Sequence, residues 1–146
     1  MVVFRDLKGL IEIVIIWENK LTDYYDAAEK IIENKQFKQV VVLLGEKHLN
    51  NLSIIKEIHV EDYGKDEWIQ ITPDFNAKDL LPVDAIKKDS TSQEIVDHVL
   101  EFEEKMMDFY SCISKMIISR DEKELFDSLV KFKERQILNI KRFTEM

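Results

Sequence analysis

Trp17-Glu18-Asn19-Lys20-Leu21-Thr22-Asp23-Tyr24-Tyr25 has a second copy eighty-five residues on, Phe102-Glu103-Glu104-Lys105-Met106-Met107-Asp108-Phe109-Tyr110. Both read aromatic, Glu, x, Lys, apolar, x, Asp, aromatic, Tyr. At about 100° per residue, Glu18 falls inside the apolar stripe Ile11, Val14, Ile15, Leu21, Tyr25, Ala28. Glu103 falls likewise among Val96, Val99, Leu100, Met106, Met107 and Tyr110. Glutamate is among the residues least often buried without a partner. One such residue reads as a stray charge at the edge of a stripe. Two, each with a tyrosine two turns onward on the same face, point to a helical core that holds carboxylates.

Composition sets the frame. A chain of 146 residues suffices for one domain with a real core. Hydrophobic residues at 45% exclude disorder, and three glycines with two prolines favour long helices over a many-turned β fold. A formal charge of −8 without a basic run argues against a nucleic-acid partner, because phosphate binding relies on clustered Lys and Arg. The single cysteine, Cys112, rules out an internal disulfide and a four-cysteine metal knot. The longest apolar runs, 13–17 and 40–44, are too short to span a bilayer. No signal-peptide pattern opens the chain, so a cytoplasmic location and no membrane partner are expected.

Taken in order, the pattern predicts helix 1 over about 4–33, with Asn34 as its stop, and helix 2 over about 36–58. The helix 2 stripe is Phe37, Val40, Val41, Leu44, Leu52 and Ile55, with His48 at its middle and Gly45 toward one edge. The short connection implies an antiparallel pair. The helical period is lost over 59–91, where both prolines fall. This stretch is too apolar for a free linker, so an ordered crossover is expected, with a possible extended piece over 67–72. Two overlapping capping boxes, Ser90 with Gln93 and Thr91 with Glu94, place helix 3 over about 92–118. Ser119 with Glu122 is a third and starts helix 4, over about 121–144. The stripe of helix 4 is Phe126, Leu129, Val130, Ile137 and Ile140, with Glu134 at its edge. The fold class is all-α: a single-domain four-helix bundle of two hairpins joined by a long crossover.

With Glu18 followed by Tyr24-Tyr25, and Glu103 by Phe109-Tyr110, the chain resembles the ferritin-like superfamily, its rubrerythrin-type branch in particular. The resemblance covers the four helices and not the 59–91 segment. It implies a di-iron carboxylate centre: one Glu from each of helices 1 and 3, plus Glu-x-x-His from each of helices 2 and 4. Laying Phe37 over Phe126 puts Gly45 over Glu134 and His48 over Ile137. A register shifted by one would pair Glu46 with Glu134, but Glu46 falls nearly opposite the stripe centre. Four of six ligands are then expected to survive: Glu18, His48, Glu103 and Glu134. Tyr25 and Tyr110 would donate hydrogen bonds to the carboxylates and fix their orientation.

Two functions follow from the resemblance. In one, the bundle binds iron or another divalent metal, as one ion or an impaired pair, with weak or absent oxidase or peroxidase activity. In the other it is a metal-free scaffold or interaction protein whose buried acids are hydrogen-bonded to His48, Tyr25 and Tyr110. Whether it is an enzyme, and which redox partner it would use, the residues leave open. The resemblance also implies a homodimer. Trp17, Tyr24, Phe102 and Phe109, outside the main stripes, would supply apolar surface for it or lie under the crossover. His98 and His59 read as structural or solvent-facing.

Overall fold

The computed structural model describes residues 3–63, 69–71 and 90–144. Four helices carry the fold: α1 (Leu7–Ile31), α2 (Lys35–Lys56), α3 (Ser92–Met116) and α4 (Arg120–Thr144). Two short strands, β1 (Val3–Arg5) and β2 (Ile69–Ile71), pair antiparallel, with Val3 opposite Ile71. A short 3-10 helix, Val60–Tyr63, follows α2. No described helix is long and apolar enough to cross a membrane.

Side-chain caps set the helix starts. The Asp6 carboxylate accepts the Gly9 N–H at 2.9 Å, so α1 begins after Asp6 and the apolar Val3-Phe4 pair joins a strand instead. This corrects the expected start near residue 4. α1 ends at Ile31 with Ile32 as its cap, two residues before the expected stop Asn34, which instead caps α2 by accepting the Phe37 N–H at 3.0 Å. Thr91 caps α3 through the Glu94 N–H at 3.1 Å, as the capping box predicts. β2 lies inside the extended piece expected over 67–72. The remaining expectation for 59–91, an ordered crossover, falls mostly on residues outside the described ones.

α1 packs against α2 and α3 against α4, and the hairpins meet along α1–α3 and α2–α4. Glu18 contacts Tyr110 while Tyr25 contacts Glu103, so α1 and α3 run antiparallel. Glu18 also meets His48, and Glu103 meets Lys133, so each hairpin is antiparallel as well. It follows that α2 and α3 run parallel, and the end of α2 and the start of α3 lie at opposite ends of the bundle.

The eighty-five-residue spacing extends far beyond the repeated nonamer. Leu7–Ile31 maps onto Ser92–Met116 end to end, and the starts of α2 and α4, Lys35 and Arg120, keep the same offset. Burial follows it: Leu10 with Ile95, Val14 with Val99, Leu44 with Leu129, Leu52 with Ile137, Ile55 with Ile140. The two hairpins are one pattern used twice and related by an approximate two-fold axis.

Trp17, Tyr24, Phe102 and Phe109, expected either to supply surface for a dimer or to be covered by the crossover, are buried at 1–5% exposure. The Trp17 and Phe109 rings meet edge to face at 4.4 Å, a geometry that adds about 0.5–1.5 kcal/mol to their burial. They belong to the core. His98, expected to face away, is half-buried, with its Nδ1 3.0 Å from the Tyr24 hydroxyl.

Candidate functional site

At the centre of the bundle sit four polar side chains with no solvent exposure: Glu18, His48, Glu103 and Lys133. Their positions obey the two-fold. Tyr110 Oη donates to Glu18 Oε1 at 2.5 Å, and its counterpart Tyr25 Oη donates to Glu103 Oε1 at 3.2 Å. Each copy of the repeat therefore supplies a carboxylate to the other copy's tyrosine. This reciprocal exchange explains why Glu and Tyr recur seven residues apart: two helical turns separate them on one face, and the antiparallel partner presents them in reverse order.

The same operation relates the two basic groups. His48 Nδ1 lies 3.1 Å from Glu18 Oε2. Lys133 Nζ lies 3.1 Å from Glu103 Oε2 and also reaches across to Glu18, at 2.8 Å from Oε1 and 3.0 Å from Oε2. The histidine is held from behind: Nε2 is 2.9 Å from both the Glu18 main-chain oxygen and Thr22 Oγ1. The carbonyl can only accept, so Nε2 carries a proton and donates. The short contacts of His48 Nδ1 and Glu103 Oε2 lack hydrogen-bond alignment, so they count as electrostatic neighbours.

Charge balance explains how carboxylates tolerate this interior. Burial pushes the Glu18 carboxyl up, but the Lys133 ammonium and the His48 ring outweigh it and bring it to about 2. Burial lowers Lys133, yet Glu103 and Glu18 together raise it above its ordinary value. Burial, reinforced by the neighbouring carboxylates, holds Tyr25 and Tyr110 well above the usual phenol range. Both hydroxyls stay protonated and act as donors. Lys133 is charged, central and bound to both acids.

Of the expected ligands, Glu18, His48 and Glu103 converge, with Tyr25 and Tyr110 on the carboxylates as anticipated. Glu134 does not join them; its side chain is exposed. The correction has a simple cause. The overlay of Phe37 on Phe126 uses an offset of eighty-nine, whereas the hairpins are related by eighty-five. At the true offset His48 corresponds to Lys133, and Gly45 to Val130. One residue is about 100° on a helix, so Lys133 faces inward where Glu134 faces water. At that offset the two positions three residues before His48 and Lys133 hold Gly45 and Val130, neither of them an acid. A Cβ on Gly45 would lie 3.6 Å from Tyr25 Cβ, directly beneath the tyrosine.

A divalent metal does not fit the residues present. All four carboxylate oxygens already face a donor or the ammonium, and Lys133 Nζ occupies the point between the two acids. Carboxylates ligate such ions at about 2.0–2.2 Å, which would set a double positive charge against the ammonium in a dry interior. Among the described residues, no three His, Cys, Asp or Glu side chains form a metal-binding group. No protein-family model, curated protein or solved structure matches this chain.

Proposed function

We propose that this protein is a ferritin-like bundle whose carboxylate core is neutralised by its own lysine, and that it works as a metal-free interaction scaffold. One observation carries the reading: the Lys133 ammonium contacts both Glu18 and Glu103 within 3.1 Å at full burial. The ferritin-like assignment is supported by the repeated Glu-to-Tyr element, by the antiparallel α1 and α3, and by the opposite placement of the end of α2 and the start of α3. That placement calls for one long crossover between hairpins. Redox chemistry at a metal pair would need bridging acids where Gly45 and Val130 stand.

The test is metal analysis of the purified protein, followed by thermal melts with and without iron, manganese or zinc. A ligand that binds only the folded state raises the midpoint. The wild-type midpoint is expected to stay constant at saturating metal. Lys133→His, which makes the two halves chemically equivalent, is the informative companion, and its midpoint is expected to rise with metal. A metal-dependent rise in the wild type that disappears in Glu18→Gln and His48→Gln would return the protein to the metal-binding class.

A further inference from the structure

An open cleft of about 700 Å³ lies at the end of the bundle where α2 finishes and α4 begins. Its lining mixes apolar side chains, Ile54, Ile58 and Leu125, with the acids Glu57, Asp62, Asp121 and Glu124. Ile54 is 65% exposed and so is free to be covered by a partner. Among the described residues, no lysine or arginine lines the cleft. Its one basic group, His59, sits 3.6 Å from Glu61. Glu124 is paired with Arg120 at 3.1 Å, but Glu57, Asp62 and Asp121 have no cationic partner among the described residues.

Helix stability does not account for this set of acids. Asp121, in the first turn of α4, suits the positive end of that helix dipole. Glu57 is the C-cap of α2, where the free carbonyls already make the potential negative. Asp62 follows within the 3-10 helix and adds to it. The result is a negative field focused over exposed isoleucine. We infer that this cleft docks a cationic amphipathic segment of another protein, seating one or two apolar side chains on Ile54 and Leu125 while flanking lysines or arginines meet the rim. A hydrated metal ion would satisfy the carboxylates and leave Ile54 in water. A basic peptide covers both, and the charge complementarity fits it.

The inference builds on the scaffold reading by naming its partner. Its test uses no metal in the core, so the two can fail separately. The full chain, isotopically labelled, is titrated with a synthetic helical peptide bearing a leucine stripe flanked by lysines, and backbone amide shifts are followed. Changes are expected to concentrate at residues 54–63 and 121–128. Affinity is expected to fall about tenfold, or 1.4 kcal/mol, both in Ile54→Ser and in the Asp62→Asn, Asp121→Asn double variant. It is expected to hold in the Glu94→Gln, Asp97→Asn double variant, which removes the same two charges at the opposite end of the bundle. Ile54 and the rim acids are exposed, so these variants should melt near the wild type, which is checked for each. Shifts spread over the whole surface, or binding indifferent to Ile54→Ser, would show unspecific attraction to an acidic protein and overturn the inference. So would calcium or magnesium moving the same resonances while the peptide moves none.

Discussion

Replacing Lys133 by methionine keeps an unbranched side chain, one atom shorter, and removes its charge. At an effective dielectric of about 20, unit charges about 3 Å apart attract by roughly 5 kcal/mol, and Lys133 makes such contacts with both Glu18 and Glu103. Against this stands the desolvation of an ammonium, several kcal/mol on the same scale. The variant is spared that penalty but leaves two buried acids facing one imidazole, so a loss of about 3–5 kcal/mol is expected. Urea denaturation at pH 7.5 measures it as a lower midpoint with an unchanged slope. The pH dependence identifies the cause. In the wild type the Glu18 carboxyl is held at about 2. Its contribution is therefore full above its ordinary value of 4.5 and is lost as pH falls toward 2. Without Lys133, burial dominates and the folded-state value rises above 4.5, so the folded variant takes up a proton in mild acid. The deficit relative to wild type should then be smaller at pH 5 than at pH 7.5. Adding Glu103→Gln to Lys133→Met removes the stranded acid and should recover more than half of the loss. A loss below about 1 kcal/mol, far under the range for breaking a buried pair, or a deficit that stays constant from pH 7.5 to 5, would refute the claim that this lysine compensates the core acids.

Other outcomes follow from the same geometry. Tyr110→Phe and Tyr25→Phe should each lose about 1.5–3 kcal/mol, the range for hydrogen bonds to charged groups; denaturation should show the larger loss for Tyr110, whose contact is 2.5 Å against 3.2 Å. Gln136 Nε2 donates to the Leu44 carbonyl at 3.2 Å, while Asn51, its counterpart eighty-five residues earlier, has a buried Nδ2 without a partner. Asn51→Gln adds the missing methylene toward the equivalent Leu129 carbonyl and should raise stability by about 0.5–1.5 kcal/mol in a urea titration. Asp6→Ala removes the α1 cap and should cost about 1 kcal/mol, with amide exchange speeding up first at Gly9 and its neighbours.

The sequence makes the periodic part of this molecule legible. The 3.6-residue stripes and the capping boxes locate four helices, and the paired Glu-to-Tyr element identifies both core acids and both tyrosines that serve them. His48 is legible for the same reason, because an apolar stripe isolates a polar residue at its middle. The start of α1 was the weaker part. Helical periodicity alone extends into Phe4, whereas the side chain of Asp6 and a strand partner more than sixty residues away decide otherwise.

Lys133 was hidden by a different kind of error, and the signal that finds it was already in the chain. Overlaying helix 2 on helix 4 by matching Phe37 to Phe126 treats aromatic identity as evidence of register. The nonamer had fixed an offset of eighty-five, and two hairpins with equal loops must carry that offset into their second helices. Applied to His48, it lands on Lys133 at once, and it also places Phe37 on Glu122, a pairing that residue-type matching would reject. Burial supports the geometric choice, since Phe37 and Glu122 are both buried while Glu134 is exposed. Equivalent positions of the two hairpins share the direction they face, and their chemistry can differ as long as charges still balance. Lys133 opposite Glu103, where the other hairpin has His48 opposite Glu18, is such a difference. It keeps a basic group on the acid and lengthens it enough to reach Glu18, so one side chain binds the two halves together.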